Sequence, residues 1–410
     1  MTSLPSAAIA LDMGGATIKA GRVPRGAGSQ SLDDGGAAVV LANHAATAAA
    51  TATATATANG ALLLGAALHE QERQRAKLRY MRPIERGYCV NWNLEAEIWT
   101  HLLDEELRAD PREHALVATA PLFAPAAVDA AMDELVFEHF GFPAFCRVAA
   151  AEMSALAHTQ SSASSASSSS SCQLVVDAGF SFTHVAPVIN GRVARRAVKR
   201  VNVGGKLLTN YLKHVVSFRQ YDVRDAPLVV DELKQALCFC SLSFADDLAR
   251  LRTDRVRWLL PDFVRCFRGR ALAPGEQAPA QVLDVGLERV AVPELLFHPS
   301  DIGLDQAGVA EAVMQALALC PRETHSTLLA NVLLVGGSTR LPNFAQRLAQ
   351  DLRPLAPSDV AIQLHAAPDP ILATWQGCRL FAARPENEPQ FVTKAEYDEH
   401  GAAAWHRRRR

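Results

Sequence analysis

Short apolar runs that stop at glycine turns recur along this chain. Ile9-Ala10-Leu11 leads into Asp12 and Gly14, Leu174-Val175-Val176 leads into Asp177 and Gly179, and Val332 to Val335 leads into Gly336-Gly337-Ser338. Runs of this length bounded by turn residues have the pattern of buried strands. A strand ending in acid-x-Gly can turn tightly, present backbone N–H groups to a phosphate, and aim its carboxylate at a metal or the waters around it. Seven residues after each aspartate comes a polar side chain, Lys19 in the first copy and His184 in the second, and Asn190-Gly191 is a two-residue hairpin signal. One phrase written early and again mid-chain predicts two similar lobes facing a single cleft.

Between these turns the polar and apolar positions follow helical spacing. Helices are expected over Pro125 to Phe140, Val148 to Ala157, Lys206 to Val216, Val229 to Leu248, Gln306 to Leu319, Asn343 to Leu352 and Ile371 to Phe381, with a short strand over His114 to Ala120. Asn91 or Asn93 can cap a helix that turns Leu94, Ile98, Leu102 and Leu103 inward. Two stretches break the pattern. Residues 25 to 59 are Gly, Ala and Thr text ending in the run Thr51 to Ala58. Its period of two offers only alanine methyls, so a weakly ordered insert is expected. Ser161 to Ser171 is a Ser/Ala tract with nothing to pack, expected as a surface loop. The resulting division is a first lobe of residues 1–158 plus 372–410, a Ser-rich loop at 159–171, and a second lobe at 172–371.

Composition narrows the picture a little. The 410 residues suffice for two domains, 49% are hydrophobic, and the net charge of −2 argues against whole-chain affinity for nucleic acid. The eight cysteines form no CxxC pair; Cys238-x-Cys240, inside an expected apolar helix, reads as two buried thiols. Unpaired thiols fit a reducing compartment, and neither a membrane span nor a signal peptide is legible, so a nuclear or cytosolic protein is expected. Arg192, Arg195, Arg196, Lys199 and Arg200 cluster in the second hairpin region, as solvated charge or as a contact for DNA phosphates or an acidic partner.

The candidate chemistry is therefore phosphate binding. Asp12/Gly14 and Asp177/Gly179 suit phosphates, Lys19 can meet one with its ammonium, and the acid-free Gly336/Gly337 turn can let a ring or ribose lie on bare backbone. These segments, with PIERGYCVNW, LVATAPL, LLVGGSTRLPNF and TKAEYDEHG, resemble the actin superfamily over nearly the whole length. The segments RVNVGGKLLTNYLK, PELLFHPSDIG and SFTH are similar to one nuclear branch of its actin-related proteins.

The resemblance implies an α/β protein of the actin-like ATPase-domain fold. Two similar lobes would close on a central nucleotide cleft, and the C-terminal segment would return to the first lobe. ATP or ADP with magnesium would be held by Asp12, Gly14, Gly15, Lys19, Asp177, Gly179, Lys234, Gly336, Gly337 and Ser338, the metal through waters on Asp12 and Asp177. Several positions depart from the actin pattern. Actin's water-orienting glutamine is matched to Glu134, its second acid in the later turn is Phe180, and the serine and glycine of its first turn are Gly15 and Ala16. An acidic neighbour of the adenosine-side lysine is Gln235, and another adenine-side lysine is Ile371. All these changes weaken hydrolysis while leaving a phosphate-sized cleft, so binding without useful turnover is expected.

By the same resemblance the chain is expected to be a non-catalytic structural subunit of a Swr-type chromatin-remodelling complex. It would sit in the nucleus, and in part in the cytoplasm. It would pair with a zinc-finger subunit, dock on the insertion of the motor ATPase, and meet the nucleosome and its variant histone indirectly. The competing expectation is an actin-like ATPase of the cytoskeleton or a sugar kinase of the same fold. The Thr/Ala run disfavours the filament, and no base for a sugar hydroxyl is evident.

Overall fold

A computed structural model of the chain describes residues 4–26, 37–48, 62–65, 67–68, 78–162, 172–262, 266, 268–277 and 281–408. Two six-stranded sheets organise it, and each grows from one of the repeated strand-turn phrases. In the first, β1 (Ala7–Met13) and β2 (Thr17–Pro24) form an antiparallel hairpin with Asp12 opposite Lys19. Next come β3 (Val39–Ala42) and, elsewhere, β4 (Ala45–Ala48), β5 (Leu78–Met81), β6 (Ile84–Glu85) and β7 (Tyr88–Cys89). β8 (Ala115–Ala120) and β9 (Ala144–Ala149) lie parallel to β1 in the order β9-β8-β1-β2-β3.

The second sheet repeats this plan. β10 (Cys172–Ala178) and β11 (Thr183–Ile189) form a hairpin with Asp177 opposite His184. β12 (Arg192–Val193) and β13 (Lys199–Val201) both pair with β11. A separate three-stranded sheet holds β14 (Val256–Leu259), β15 (Arg270–Ala271) and β16 (Val282–Val285). β17 (Val332–Val335) then joins β10 in parallel and β18 (Leu364–Ala366) follows it. β19 (Val392–Thr393) returns to the first sheet, antiparallel to β9. Both aspartates therefore stand at the carboxyl end of a strand whose parallel neighbour also ends there. Open sheets place their ligand crevices at such points.

The turn signals act as expected where backbone geometry demands them. Asn190 and Gly191 both have positive φ, the mirror-image turn that matches the strand twist of a hairpin. Asn91 caps the helix Trp92–His101, its side chain accepting from the Leu94 N–H at 3.1 Å. The fully buried Ile98 and Trp99 of that helix pack with Ile9 and Leu11 of β1 and Phe145 of β9.

Three expectations need correction. The helix expected over Val229 to Leu248 ends at Leu237, and a short helix, Phe244–Leu251, follows. The segment between, Cys238 to Ser243, is extended at Cys238 because its N–H groups are drawn elsewhere: Phe239 donates to the Arg289 carbonyl and Cys240 to that of Pro342. Cys238 and Cys240 thus lie outside any helix, though both are buried. The helix expected from Val148 begins at Ala150, because Ala144 to Ala149 pair with β8 along their whole length. Part of the expected weak insert is ordered sheet. Val39–Ala42 pairs with β2, burying Leu41, and Ala45–Ala48 pairs with β5. The Thr51 to Ala58 run and residues 163–171 of the Ser tract lie outside the described residues, while Ser161 and Ser162 end the helix Ala150–Ser162.

The helices Ala150–Ser162 and Ala373–Ala383 cross at Gly377, where a β-carbon would sit 1.9 Å from the Met153 carbonyl oxygen. The second of these also ties itself to β1, Trp375 Nε1 donating to the Ala10 carbonyl at 3.1 Å. Gly377→Ala should therefore force the helices apart and lower stability by about 1–3 kcal/mol in urea unfolding. Gly337→Ala, whose β-carbon would meet nothing within 4 Å, should stay within about 0.5 kcal/mol of the parent.

Candidate functional site

The two strand-end aspartates face one cavity of about 1040 Å³ between the sheets. Its walls include Asp12, Gly14, Gly15, Lys19, Asp177, Gly179, Lys234, Gly336, Gly337 and Ser338, so every residue expected to bind nucleotide lies on it. Volumes of this size are ample for a nucleotide-sized ligand. Asp12 is held on both oxygens, one accepting from Lys19 Nζ and the other from the Thr119 hydroxyl, each at 3.0 Å. Thr119 also accepts from the Met13 N–H at 2.9 Å, which locks the end of β8 to the turn after β1. Among the described residues Asp177 has no such cage. Burial, reinforced by the Asp12 charge and offset by Lys19, pushes its carboxyl up to about 6.

The turn after Asp177 is pinned by backbone bonds. Gly179 donates to the Phe182 carbonyl at 3.0 Å, and Lys206 donates to that of Phe180 at 2.8 Å. The Ser338 hydroxyl bonds the Gly179 carbonyl at 3.2 Å, joining the β10 turn to the β17 turn. Gly336 has φ +88, and a β-carbon there would press within 2.6 Å of Asp177 Oδ1. Gly337 needs glycine for neither backbone nor packing reasons, and its absent side chain leaves bare backbone open on the cavity.

The two turns also touch each other. A β-carbon at Gly15 would come 2.5 Å from Ser181 Oγ. The hydroxyl missing at position 15 is thus replaced, in nearly the same space, by one from the opposite turn. Phe180 is on the wall, and the Arg82 guanidinium lies 4.7 Å above its ring. His184, opposite Asp177, is buried, and its Nε2 has no partner among the described residues. Burial first, then Arg200, push its pKa down to about 4, so the ring is neutral at pH 7.

On the far wall Lys234 is committed within the protein. Its ammonium donates to the Thr209 hydroxyl at 2.7 Å, to the Gly205 carbonyl at 3.2 Å and to Asp231. Gln235 donates to the other oxygen of Asp231 at 2.6 Å. Ile371 lies on the wall as well, an apolar surface near the Gly336 turn.

Two expected site residues are elsewhere. Glu134 is exposed at the end of the helix Ala126–Glu134 and does not line the cavity. The wall from that part of the chain is built instead by Ala150 and Ala151, at the junction of β9 and its helix. The expectation matched the slot to the first of two successive helices, whereas the wall is formed at the start of the second, Ala150–Ser162. Arg200 is not a free surface cation. It donates to the Arg86 carbonyl at 2.7 Å and lies over the Phe182 and Tyr88 rings at 4.3 and 5.5 Å. It therefore bridges the second sheet to the β6–β7 hairpin. Beside it Gly87, at φ +83, packs so closely on Phe182 that a β-carbon would lie within the ring's contact distance. Arg192 is 3.9 Å from Glu152, whereas Arg195 and Arg196 are exposed and Lys199 is half-buried.

The Actin family model covers residues 3–410. The chain belongs to the actin family. The curated actin-related protein 6 of Oryza sativa subsp. indica is 37% identical over 385 residues, covering 84% of this chain and 89% of that protein. Actin-related protein 6 of Arabidopsis thaliana is 38% identical over 357 residues, covering 80% and 85%. The actin-like protein arp6 of Aspergillus fumigatus is 36% identical over 448 aligned positions, covering 98% and 94%. The α/β actin-like fold described above is the fold of that family.

The actin-family cleft here has supports that sequence spacing did not reveal. The Asn43 amide donates to the Gly14 carbonyl at 2.9 Å, steadying the first turn from the loop after β3. Behind it Glu95 is fully buried and accepts from Trp99 Nε1 at 2.9 Å. Burial pushes Glu95 up to about 7 despite hydrogen bonds from Trp99 and Asn43. Thr119, Arg82 and Asp231 were missed too. The only sequence signal for Thr119 was a single hydroxyl near the end of an apolar strand.

Two outcomes follow for the site. Between the ordinary glutamate value of 4.5 and about 7, the folded chain holds a proton on Glu95 that the unfolded chain has released. Stability contributed there is present below that window and is lost as pH rises through it, at roughly 1.4 kcal/mol per pH unit. Glu95→Gln should remove this part of the slope, gaining on the parent from pH 5 to pH 8 in urea titrations. Arg200→Ala should loosen the bridge across the cleft mouth. Hydrogen exchange at residues 84–90 is expected to quicken roughly 10-fold, with helical content unchanged.

Proposed function

We propose that this chain is a non-catalytic, nuclear actin-related subunit of a Swr-type chromatin-remodelling complex that exchanges histone 2A for its Z variant. The observation that carries the reading is the similarity, along 80% or more of the chain, to proteins named actin-related protein 6. Features of the cleft support the non-catalytic part. Ala150 and Ala151 offer only methyl groups on the wall, and Phe180 brings a ring to the turn after Asp177. Orienting an attacking water requires a hydrogen-bonding group aimed at it, and none of these three side chains supplies one.

In this reading ATP or ADP sits between the Asp12 and Asp177 turns and serves as a clamp on two lobes. A ligand that binds only the closed, folded state stabilises it by mass action, about 2.7 kcal/mol at a hundred times Kd. The motor ATPase of the complex supplies the energy for exchange. The chain joins a zinc-finger subunit and the insertion of that motor, and reaches the nucleosome through them. Arg195, Arg196 and Lys199 are the cations left for an acidic contact.

Affinity capture of the tagged chain from nuclear extract should recover a remodeller motor and a zinc-finger protein together. A cytosolic pool with no motor would overturn the assignment. Phosphate release by the purified chain should stay far below about one turnover per second. Turnover near that rate, or salt-induced filaments, would instead favour a cytoskeletal ATPase.

A further inference from the structure

The resemblance to actin implies a divalent cation held through water by Asp12 and Asp177, and the residues present do not fit one. A hard cation such as magnesium needs several oxygen ligands or ordered waters held by carboxylates. Both oxygens of Asp12 are already engaged, by the Lys19 ammonium and the Thr119 hydroxyl. The later turn presents the Phe180 ring, which has no oxygen to offer, and this leaves Asp177 as the one strand-end carboxylate on the wall with no side-chain partner among the described residues. Among the described residues no group of three or more His, Cys, Asp or Glu is placed to hold a metal ion.

Positive charge is nevertheless in place. Six cationic side chains and four carboxylates line the cavity. Two of those carboxylates, Asp12 and Asp231, are already paired with Lys19 and Lys234. Arg82 stands apart. Its guanidinium carbon lies 4.7 Å from the centre of the Phe180 ring, and among the described residues its one hydrogen bond is a long one of 3.5 Å to the Gly15 carbonyl and no carboxylate lies within ion-pair distance. Pro83 follows it directly and restricts its backbone, so the arginine is presented from a stiff corner between β5 and β6. A guanidinium packed over an aromatic ring leaves most of its five N–H donors for other partners, and those donors match phosphate oxygens in pairs.

We propose that this cleft takes the polyphosphate of a nucleotide without a divalent cation, Lys19 and the Arg82–Phe180 stack standing where the metal and its waters would be. The inference rests on the nucleotide reading above and goes beyond it by naming the state of the ligand. A dication entering this site would find the single uncaged carboxylate of Asp177 opposed by an ammonium and a guanidinium, whereas a bare triphosphate meets both cations with its own charge. Arg82 is then a binding residue, and the aromatic replacement at Phe180 is what holds it in place.

The test is calorimetry of the full chain with ATP, in EDTA and in excess magnesium. The expected Kd values agree within about threefold, since the charge is neutralised by side chains. Arg82→Ala should weaken binding in EDTA by about 10-fold or more, and Arg82→Lys, which keeps the charge and loses the fork, should fall between. Phe180→Asp should bind poorly in EDTA and recover with magnesium. Thermal melts of each variant confirm folding. ATP binding that appears only with magnesium would overturn this inference and leave the nucleotide reading standing. Unchanged affinity of Arg82→Ala in EDTA would overturn it likewise. No ATP binding in either buffer would overturn the nucleotide reading, and this inference with it.

Discussion

Two carboxylates brought to the ends of two sheets and turned toward one cavity create a problem of like charge, and much of the site is arranged around it. Asp12 is neutralised in place by Lys19 and Thr119. Asp177 is left to burial and to the field of Asp12, and its proton affinity rises accordingly. In low-dielectric surroundings such a pair is tolerated only where cations or a bound ligand offset it. The hairpin register supplies the first cation, because pairing Asp12 with Lys19 across adjacent strands fixes their meeting before any loop is considered. In the second hairpin the same register delivers a neutral imidazole, His184, so the two halves are alike in backbone and unlike in charge.

This asymmetry extends to how the cleft is closed. The Gly15 turn and the Ser181 turn are in contact, Arg82 reaches over Phe180, and Arg200 hooks the β6–β7 hairpin from the other side. These contacts are made by side chains of the protein itself, and they join the two sheets at the mouth of the cavity. The cleft assembled this way has a wall that offers methyl groups and an aromatic ring near the two strand-end turns.

Tertiary pairing decided several matters that local pattern left open or misread. Cys238 to Ser243 has helical spacing, yet the carbonyls of Arg289 and Pro342, far along the chain, take its N–H groups and draw it out. Val148 and Ala149 read as the start of a helix and belong instead to a strand, because β8 offers a parallel edge along Ala144 to Ala149. Glu134, the expected water-side residue, is exposed, and the cavity wall is formed by Ala150 and Ala151 at the start of the helix that follows this strand.

By itself the sequence determined the strand-turn phrases, the hairpin at Asn190-Gly191, the Asn91 cap and the glycines of the cleft. Each of these is dictated by local sterics or by an alternation of apolar residues within a few positions. Only the tertiary structure decided that Thr119 would grip Asp12 from 107 residues away, that Arg82 would stack on Phe180, and that Arg200 would bridge the sheets instead of facing solvent. Those are pairings between distant segments, and their energy depends on how two sheets are set against each other. No window of the sequence contains both partners.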